Sequence, residues 1–177
     1  MVRPSRGPGL LVLLTAGERV AELVLSRRHR RWALSRGGRE FGRAHYPVMV
    51  AAHAALLAGC ARRAWRGTTR SGWPVGSLVG ATILAQSLRW WCIASLGRQW
   101  NTRVVVVPGA TLVRRGPYRW WRHPNYAAVA IEGVTLPLSV GGVALAVLFS
   151  VVNGVLLVVR IRCENRALAV LVGAGPR

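Results

Sequence analysis

An apolar run close to the C-terminus limits the folds available to this chain. Val143 to Ile161 covers 19 residues, and a helix with a rise of ~1.5 Å per residue would make this run roughly 28 Å long, about the thickness of a bilayer core. Four further apolar segments precede it, at 10–26, 46–60, 73–96 and 125–139. The pattern predicts an all-α integral membrane protein with about five transmembrane helices.

Charge and composition narrow the class of protein. The 177 residues combine a net charge of +20 with 52% hydrophobic residues, which is rare in a soluble domain. The charge alone would suit a nucleic-acid binder, but such domains do not carry five apolar spans, so we expect no nucleic-acid partner. The length fits a single domain, 1–177. The three cysteines are widely spaced and form no zinc motif, so we expect no metal site.

The distribution of arginine predicts which ends of the segments face the cytoplasm. With five spans, the regions 27–43, 97–122 and the tail from Arg162 fall on one side, with seven, six and three arginines, sixteen in all. The opposite side carries six, in the N-terminal arm and in 61–72. The positive-inside rule therefore predicts a cytosolic loop at 97–122 and a cytosolic C-terminal tail. We interpret 27–43 as a solvated loop.

Glutamates within the apolar segments have two interpretations. Glu18 and Glu22 are four residues apart and would share one helix face. They could be paired with a neighbouring helix, through Arg89, or they could line an active-site cavity, because ionisable groups facing lipid are costly. Because Glu132 is a third such residue, a transporter or a non-enzymatic membrane protein remains an alternative function.

The densest polar stretch runs from Thr111 to Glu132 and contains four arginines, two tyrosines, two tryptophans and a His-Pro pair. Pro124 can open a helix at its first turn. Arg160 and Glu164 would share a face at the end of the last helix, on the same side of the membrane. Carboxylate and aromatic faces attract a cation, and arginine or backbone N–H groups hold a carboxylate. The set suits a zwitterionic cofactor such as S-adenosylmethionine, although spacing alone does not separate it from a structural protein with surface arginines.

Two motifs in this part of the chain resemble a known family. RGPYRWWRHPNY and RIRCENRAL are similar to the two signatures of the isoprenylcysteine carboxyl methyltransferases, integral-membrane enzymes that use S-adenosylmethionine without a Rossmann domain. The N-terminal segment ERVAELVLSRRHRRWALSRGGREFGRAHYPVMV and GRQWNTRVVVVPGA resemble more closely the bacterial members associated with type III polyketide synthases. Those relatives methylate phenolic lipids such as alkylresorcinols.

The resemblance implies a cofactor and catalytic region over 97–168. Arg160 would face the acceptor, and Glu164 would contact the cofactor beside it. Many relatives have histidine where this chain has Ala110, and the second glutamate of the family's pair is Asn165 here. The remaining residues expected to bind S-adenosylmethionine are Thr111, Leu112, Val113, Tyr118, His123, Pro124, Asn125 and Tyr126.

The resemblance also implies a reaction and a location. We expect an O-methyltransferase of the bacterial cytoplasmic membrane, with its site facing the cytoplasm, acting on a lipophilic acceptor from the bilayer. The favoured acceptor is the phenolic hydroxyl of an alkylresorcinol-type lipid, with a functional link to a type III polyketide synthase. A phenol, with a pKa of about 10, needs a base such as Glu164 or His123. The alternative acceptor is the carboxylate of an isoprenylcysteine-like substrate, which needs none.

Overall fold

The computed structural model of the chain describes residues 6–67 and 72–172. Within these ranges the protein is mostly helical, as predicted, with one short two-stranded sheet. Of the arginines counted for topology, Arg3, Arg70 and Arg177 lie outside the described residues. The helices are α1 (Arg6–Leu34), α2 (His45–Trp65), α3 (Val75–Leu96), α4 (Pro124–Ser139) and α5 (Val143–Val172), and the strands are β1 (Arg39–Phe41) and β2 (Val104–Val106).

Helix α1 corrects the prediction of a solvated loop over 27–43. The helix continues to Leu34, so the first four arginines of that region lie on it. Arginine is a good helix former, and its charge does not end a helix. The chain turns only at Gly37, whose φ of +76° favours glycine. For the same reason α5 continues beyond the predicted membrane span 143–161, through the second motif, to Val172.

The start of α4 follows the prediction from its sequence. Pro124 occupies the first turn of the helix, and His123 before it is non-helical, with φ −133° and ψ 52°. Helix α4 packs mainly between α3 and α5. At the far end of the bundle, apolar side chains from α1, α2, α4 and α5 form one core cluster: Leu11, Val12, Leu56, Cys60, Leu136, Val140 and Phe149.

The sheet gathers the distant loops at the other end of the bundle. Strands β1 and β2 are antiparallel, with Glu40 opposite Val105, and β2 packs against Ala167 of α5. We call this end, formed by residues 35–44, 97–123 and 160–172, the polar end. The three arginine-bearing regions predicted to share one side therefore lie together.

Glu40 joins the sheet to the neighbouring loops. Its carboxylate is 2.6 Å from Arg103 Nη1 and 2.8 Å from Arg30 Nη2. Burial alone would raise the pKa of Glu40, but the hydrogen bonds from Arg103 and Arg30 hold it below its ordinary value.

Among the described residues, one helical stretch, Val143–Ala169 in α5, is long and apolar enough to cross a membrane by itself. Helix α1 contains Glu18, Arg19 and Glu22 near its middle, and α4 has only 16 residues. Helices α2 and α3 are long enough, but their most apolar stretches are less apolar than that of α5. The number of five membrane segments stays a prediction.

Candidate active site

A cavity of about 750 Å³ opens at the polar end. Cofactor pockets typically have volumes of roughly 300–1,000 Å³. Its wall comes from the end of α1, the segment between α3 and α4, the start of α4, and the part of α5 that carries the second motif. Ten of the eleven residues predicted for the site line this cavity: Ala110, Thr111, Leu112, Val113, Tyr118, His123, Asn125, Tyr126, Arg160 and Glu164. The eleventh, Pro124, is buried at the start of α4.

The two motifs meet at the hydroxyl of Tyr126. This hydroxyl donates a hydrogen bond to Glu164 Oε2 and accepts one from Arg160 Nε at 3.0 Å. Arg160 and Glu164 lie one turn apart on α5 and face the same residue of α4, as their spacing predicted. A cation and a carboxylate are thus held side by side in the wall of the cavity.

Backbone carbonyls hold the rest of the Arg160 side chain. Its Nη1 donates to the carbonyl oxygen of Thr102, and its Nη2 donates to that of Asn101 at 3.3 Å. Arg160 is 7% exposed, so its position is set by the protein rather than by solvent. Its guanidinium is oriented before any acceptor arrives.

The loop that supplies these carbonyls is itself anchored to α1 and α2. Ser26 donates to Asn101 Oδ1 at 2.6 Å and lies 2.8 Å from Thr102 Oγ1. Tyr46 reaches Thr102 Oγ1 at 3.2 Å. The sequence prediction gave Asn101 and Thr102 no role. They act through backbone atoms that every residue has, so their side-chain types gave no direct signal.

The turn that carries Tyr118 depends on Gly116. Gly116 has φ +58°, and a Cβ placed there would lie 2.0 Å from Ser95 Oγ, so a side chain fits neither the backbone conformation nor the space. Burial raises the pKa of Tyr118 above its ordinary value, which keeps the hydroxyl protonated. Nearby, the rings of His123 and Tyr126 stack, with centroids 5.3 Å apart.

Unpaired polar atoms in the wall indicate that the cavity accepts a polar molecule. Trp32 Nε1, Asn125 Oδ1 and Asn165 Oδ1 are buried without a hydrogen-bond partner, and all three residues line the cavity. A buried donor or acceptor without a partner costs about 1–3 kcal/mol. One donor and two acceptors, with the Glu164 carboxylate and aromatic faces, fit a zwitterion such as S-adenosylmethionine.

The acids of the apolar segments belong to a separate cluster between α1, α3 and α4, which we call the ion network. Arg89 donates to both oxygens of Glu22, at 2.6 and 2.7 Å. Arg19 bridges Glu22 at 2.8 Å and Glu132 at 2.7 Å, and Glu18 accepts from Gln86. The predicted pairing through Arg89 is confirmed for Glu22, while Glu18 pairs with another residue of the same helix α3. None of these acids lines the cavity described above.

Comparison with known proteins agrees with both motifs. The family model "Isoprenylcysteine carboxyl methyltransferase (ICMT) family" matches residues 78–170, which include Tyr126, Arg160 and Glu164. The chain is also 40% identical over 161 residues to the uncharacterized protein YpbQ of Bacillus subtilis (strain 168), a match that covers 90% of this chain and 95% of that protein. The family match spans more than half of the chain. The chain therefore belongs to the isoprenylcysteine carboxyl methyltransferase family.

Proposed function

We propose that the protein is an S-adenosylmethionine-dependent O-methyltransferase that acts on a lipophilic acceptor at the cytosolic face of a membrane. The family is one of S-adenosylmethionine-dependent methyltransferases. The proposal depends mainly on one observation: the Tyr126 hydroxyl is hydrogen-bonded to both Arg160 and Glu164 in the wall of one cavity. That arrangement places a fixed cation beside a carboxylate where two reactants can meet.

The exposed apolar surface supports a position in the membrane. Along α5, Val147, Leu148, Val151 and Val155 are each 60% or more exposed. Soluble monomers rarely expose contiguous apolar patches of more than a few hundred Å², whereas acyl chains can cover such a surface. The excess of arginine at the polar end favours the cytoplasm for the cavity. We keep five segments in the bacterial cytoplasmic membrane as the proposed topology.

The cavity offers a distinct set of groups to each part of the cofactor. Glu164 and the rings of Tyr118 and Trp121 attract positive charge, and the wall at 110–113 offers backbone groups and uncharged side chains for close contact. Asn125 and Asn165 offer unpaired acceptors. Bound in this way, S-adenosylmethionine would supply an electrophilic methyl group on a sulfonium centre.

The protein's own contribution is to position the acceptor and to stabilise its charge. The Arg160 guanidinium can pair with an acceptor oxygen that carries negative charge. Because the carbonyls of Asn101 and Thr102 already fix it, little reorganisation accompanies the reaction. For a phenol, Glu164 or His123 would take the hydroxyl proton.

Asn165 favours a phenolic acceptor. It lines the cavity next to Glu164, at a position where the family's pattern has a second glutamate. A neutral amide there leaves less negative charge beside the acceptor, so a phenolate forms more easily than beside two carboxylates. We therefore propose an alkylresorcinol-type lipid as the acceptor, with a type III polyketide synthase as its source. Carboxyl methylation of an isoprenylcysteine-like substrate is the second candidate, and the family match favours it.

Methyl transfer from labelled S-adenosylmethionine tests the proposal. Purified protein would be given alkylresorcinols of several chain lengths and farnesylcysteine analogues in parallel. We expect label in the phenolic ether and none in the thioether ester. Label only in the farnesylcysteine ester would replace the acceptor and keep the reaction. No label in either product, from folded protein that binds no S-adenosylmethionine, would favour a non-enzymatic membrane protein.

A further inference from the structure

A second cavity, of about 510 Å³, lies between α1, α2 and the loop before β2. Its wall contains Arg27, Arg30 and Arg31 of α1, Arg103 of the loop, and the apolar side chains of Leu23 and Val50. It shares only Arg103 with the wall of the candidate active site. The two cavities therefore have largely separate walls.

The charges around this second cavity do not balance. Glu40 pairs with Arg30 and with Arg103, at 2.8 and 2.6 Å. The guanidinium groups of Arg27 and Arg31 form no ion pair or hydrogen bond with any residue that the structure describes. Of the four guanidinium groups in the wall, only those of Arg30 and Arg103 pair with a carboxylate in the described part of the chain. The uncompensated positive charge of the other two is complementary to an anion.

The apolar part of the wall indicates what kind of anion fits. Leu23 and Val50 line the cavity, and Val20 and Val24, on the preceding turns of α1, are 62% and 44% exposed. The cavity therefore lies where an exposed apolar helix surface gives way to exposed arginines. A small soluble anion needs only the arginines, whereas an anionic lipid has a phosphate for them and acyl chains for the apolar surface.

We propose that this cavity binds the headgroup of an anionic phospholipid, with its phosphate between Arg27 and Arg31 and the start of its acyl chains along Leu23 and Val50. The proposal rests on the proposed membrane position and not on methyl transfer. Thr102 also lines the cavity, and its carbonyl holds Arg160, so the bound headgroup would contact the loop that orients the candidate active site.

Native mass spectrometry of the purified full chain in detergent tests the site with dioleoylphosphatidylglycerol and dioleoylphosphatidylcholine as probes. We expect one phosphatidylglycerol to bind at concentrations where phosphatidylcholine does not. The double variant R27Q/R31Q should bind it about tenfold or more weakly, since each arginine contributes about a factor of five near an anionic headgroup. Both positions are exposed and glutamine is a good helix former, so the variant should fold.

The matched control is R28Q/R39Q, which removes the same charge from exposed positions of α1 and β1 outside the cavity. It should change phosphatidylglycerol binding by less than about twofold. Equal losses in the two double variants would mean diffuse attraction without a site and would overturn the proposal, as would equal binding of phosphatidylcholine. Displacement of the lipid by an equal concentration of glycerol phosphate would show a soluble ester as the occupant and would also overturn it. Since no step measures methyl transfer, inactivity towards phenols leaves this result unaffected.

Discussion

Arg160 shows how much of the candidate site depends on the shape of one side chain. Its three nitrogens are directed at three separate acceptors, the Tyr126 hydroxyl and the carbonyls of Asn101 and Thr102. Only a planar guanidinium offers donors in that fixed arrangement, because a lysine ammonium is a point charge on a flexible stem. The role of Arg160 therefore depends on geometry as well as on charge.

We predict that Arg160→Lys lowers kcat/KM for methyl transfer by roughly 10- to 100-fold, since hydrogen bonds from a charged group contribute about 1.5–3 kcal/mol each. The dissociation constant for S-adenosylmethionine should change by much less, because the predicted role of Arg160 is towards the acceptor. Arg162→Lys, two residues along α5 at an exposed position, is the control and should retain activity. Equal activity of both variants would remove Arg160 from the mechanism.

At the residue scale, the side chains of the site were predictable and their supports were not. Tyr126, Arg160 and Glu164 belong to motifs whose residue types and spacing carry the signal. Asn101 and Thr102 hold Arg160 through carbonyl oxygens, which any residue provides. The contact depends on the path of the loop between α3 and β2, and tertiary packing sets that path.

The helices were largely predictable from the sequence, whereas some of their ends and the pairing of the strands were not. Each predicted apolar segment falls largely within one helix, because the period and length of an apolar run report the surface that the helix buries or exposes. The end of α1 was wrong, since hydropathy falls where arginines begin whereas the helix ends where the backbone turns. The pairing of β1 with β2 joins segments more than sixty residues apart. No local sequence pattern predicted which segment would pair with Val104–Val106.

The contribution of the β1–β2 pair to stability should depend on pH through Glu40. Its pKa is lower in the folded protein, so its stabilising effect is full above the ordinary glutamate pKa of about 4.3 and is lost as pH falls through the lower folded value. We predict that Glu40→Gln lowers the unfolding temperature at pH 7, and that the difference narrows towards pH 3. Thermal unfolding in detergent measures both.

The control for this prediction is Arg39→Gln, a change at the neighbouring exposed position of β1 that leaves the Glu40 pairs in place. It should give a small difference from the unaltered protein that does not vary with pH. A constant destabilisation by Glu40→Gln from pH 7 to pH 3 would mean that packing of the side chain, rather than its charge, stabilises the β1–β2 pair.

Across the whole molecule, the ion network and the polar end perform different tasks. The network joins α1, α3 and α4 near the middle of the bundle, where Arg89 is 7% exposed and Glu22 is 2% exposed. The candidate site lies at one end, between α4, α5 and the loops. The charges of the ion network therefore join the helices to one another, whereas Arg160 and Glu164 at the polar end line the cavity.

Removing one member of the network should destabilise the bundle more than removing a pair. We predict that Arg89→Ala costs about 3–5 kcal/mol, because Glu22 is left as a buried charge with fewer partners. The double variant R89M/E22Q removes one charge of each sign and should recover much of that loss. Unfolding in detergent compares the two, and a double variant less stable than Arg89→Ala would contradict this account.

The acceptor is tested by the pH dependence of methyl transfer by the intact protein. A phenol with a pKa of about 10 gives little phenolate at neutral pH and reacts through a base, so its rate should rise from pH 6 to pH 9 as the base loses its proton and the phenolate fraction grows. A carboxylate is already ionised above about pH 5, so its rate should stay nearly flat over the same range.

Binding of S-adenosylmethionine measured at each pH separates an effect on the cofactor from an effect on the acceptor. A rate that rises with an alkylresorcinol while cofactor affinity stays constant would support the phenolic lipid, because the titrating step would then belong to the acceptor oxygen beside Arg160. A flat rate with a farnesylcysteine analogue, and no turnover of the phenol, would assign the cavity to carboxyl methylation and leave the roles of Arg160 and Glu164 in place.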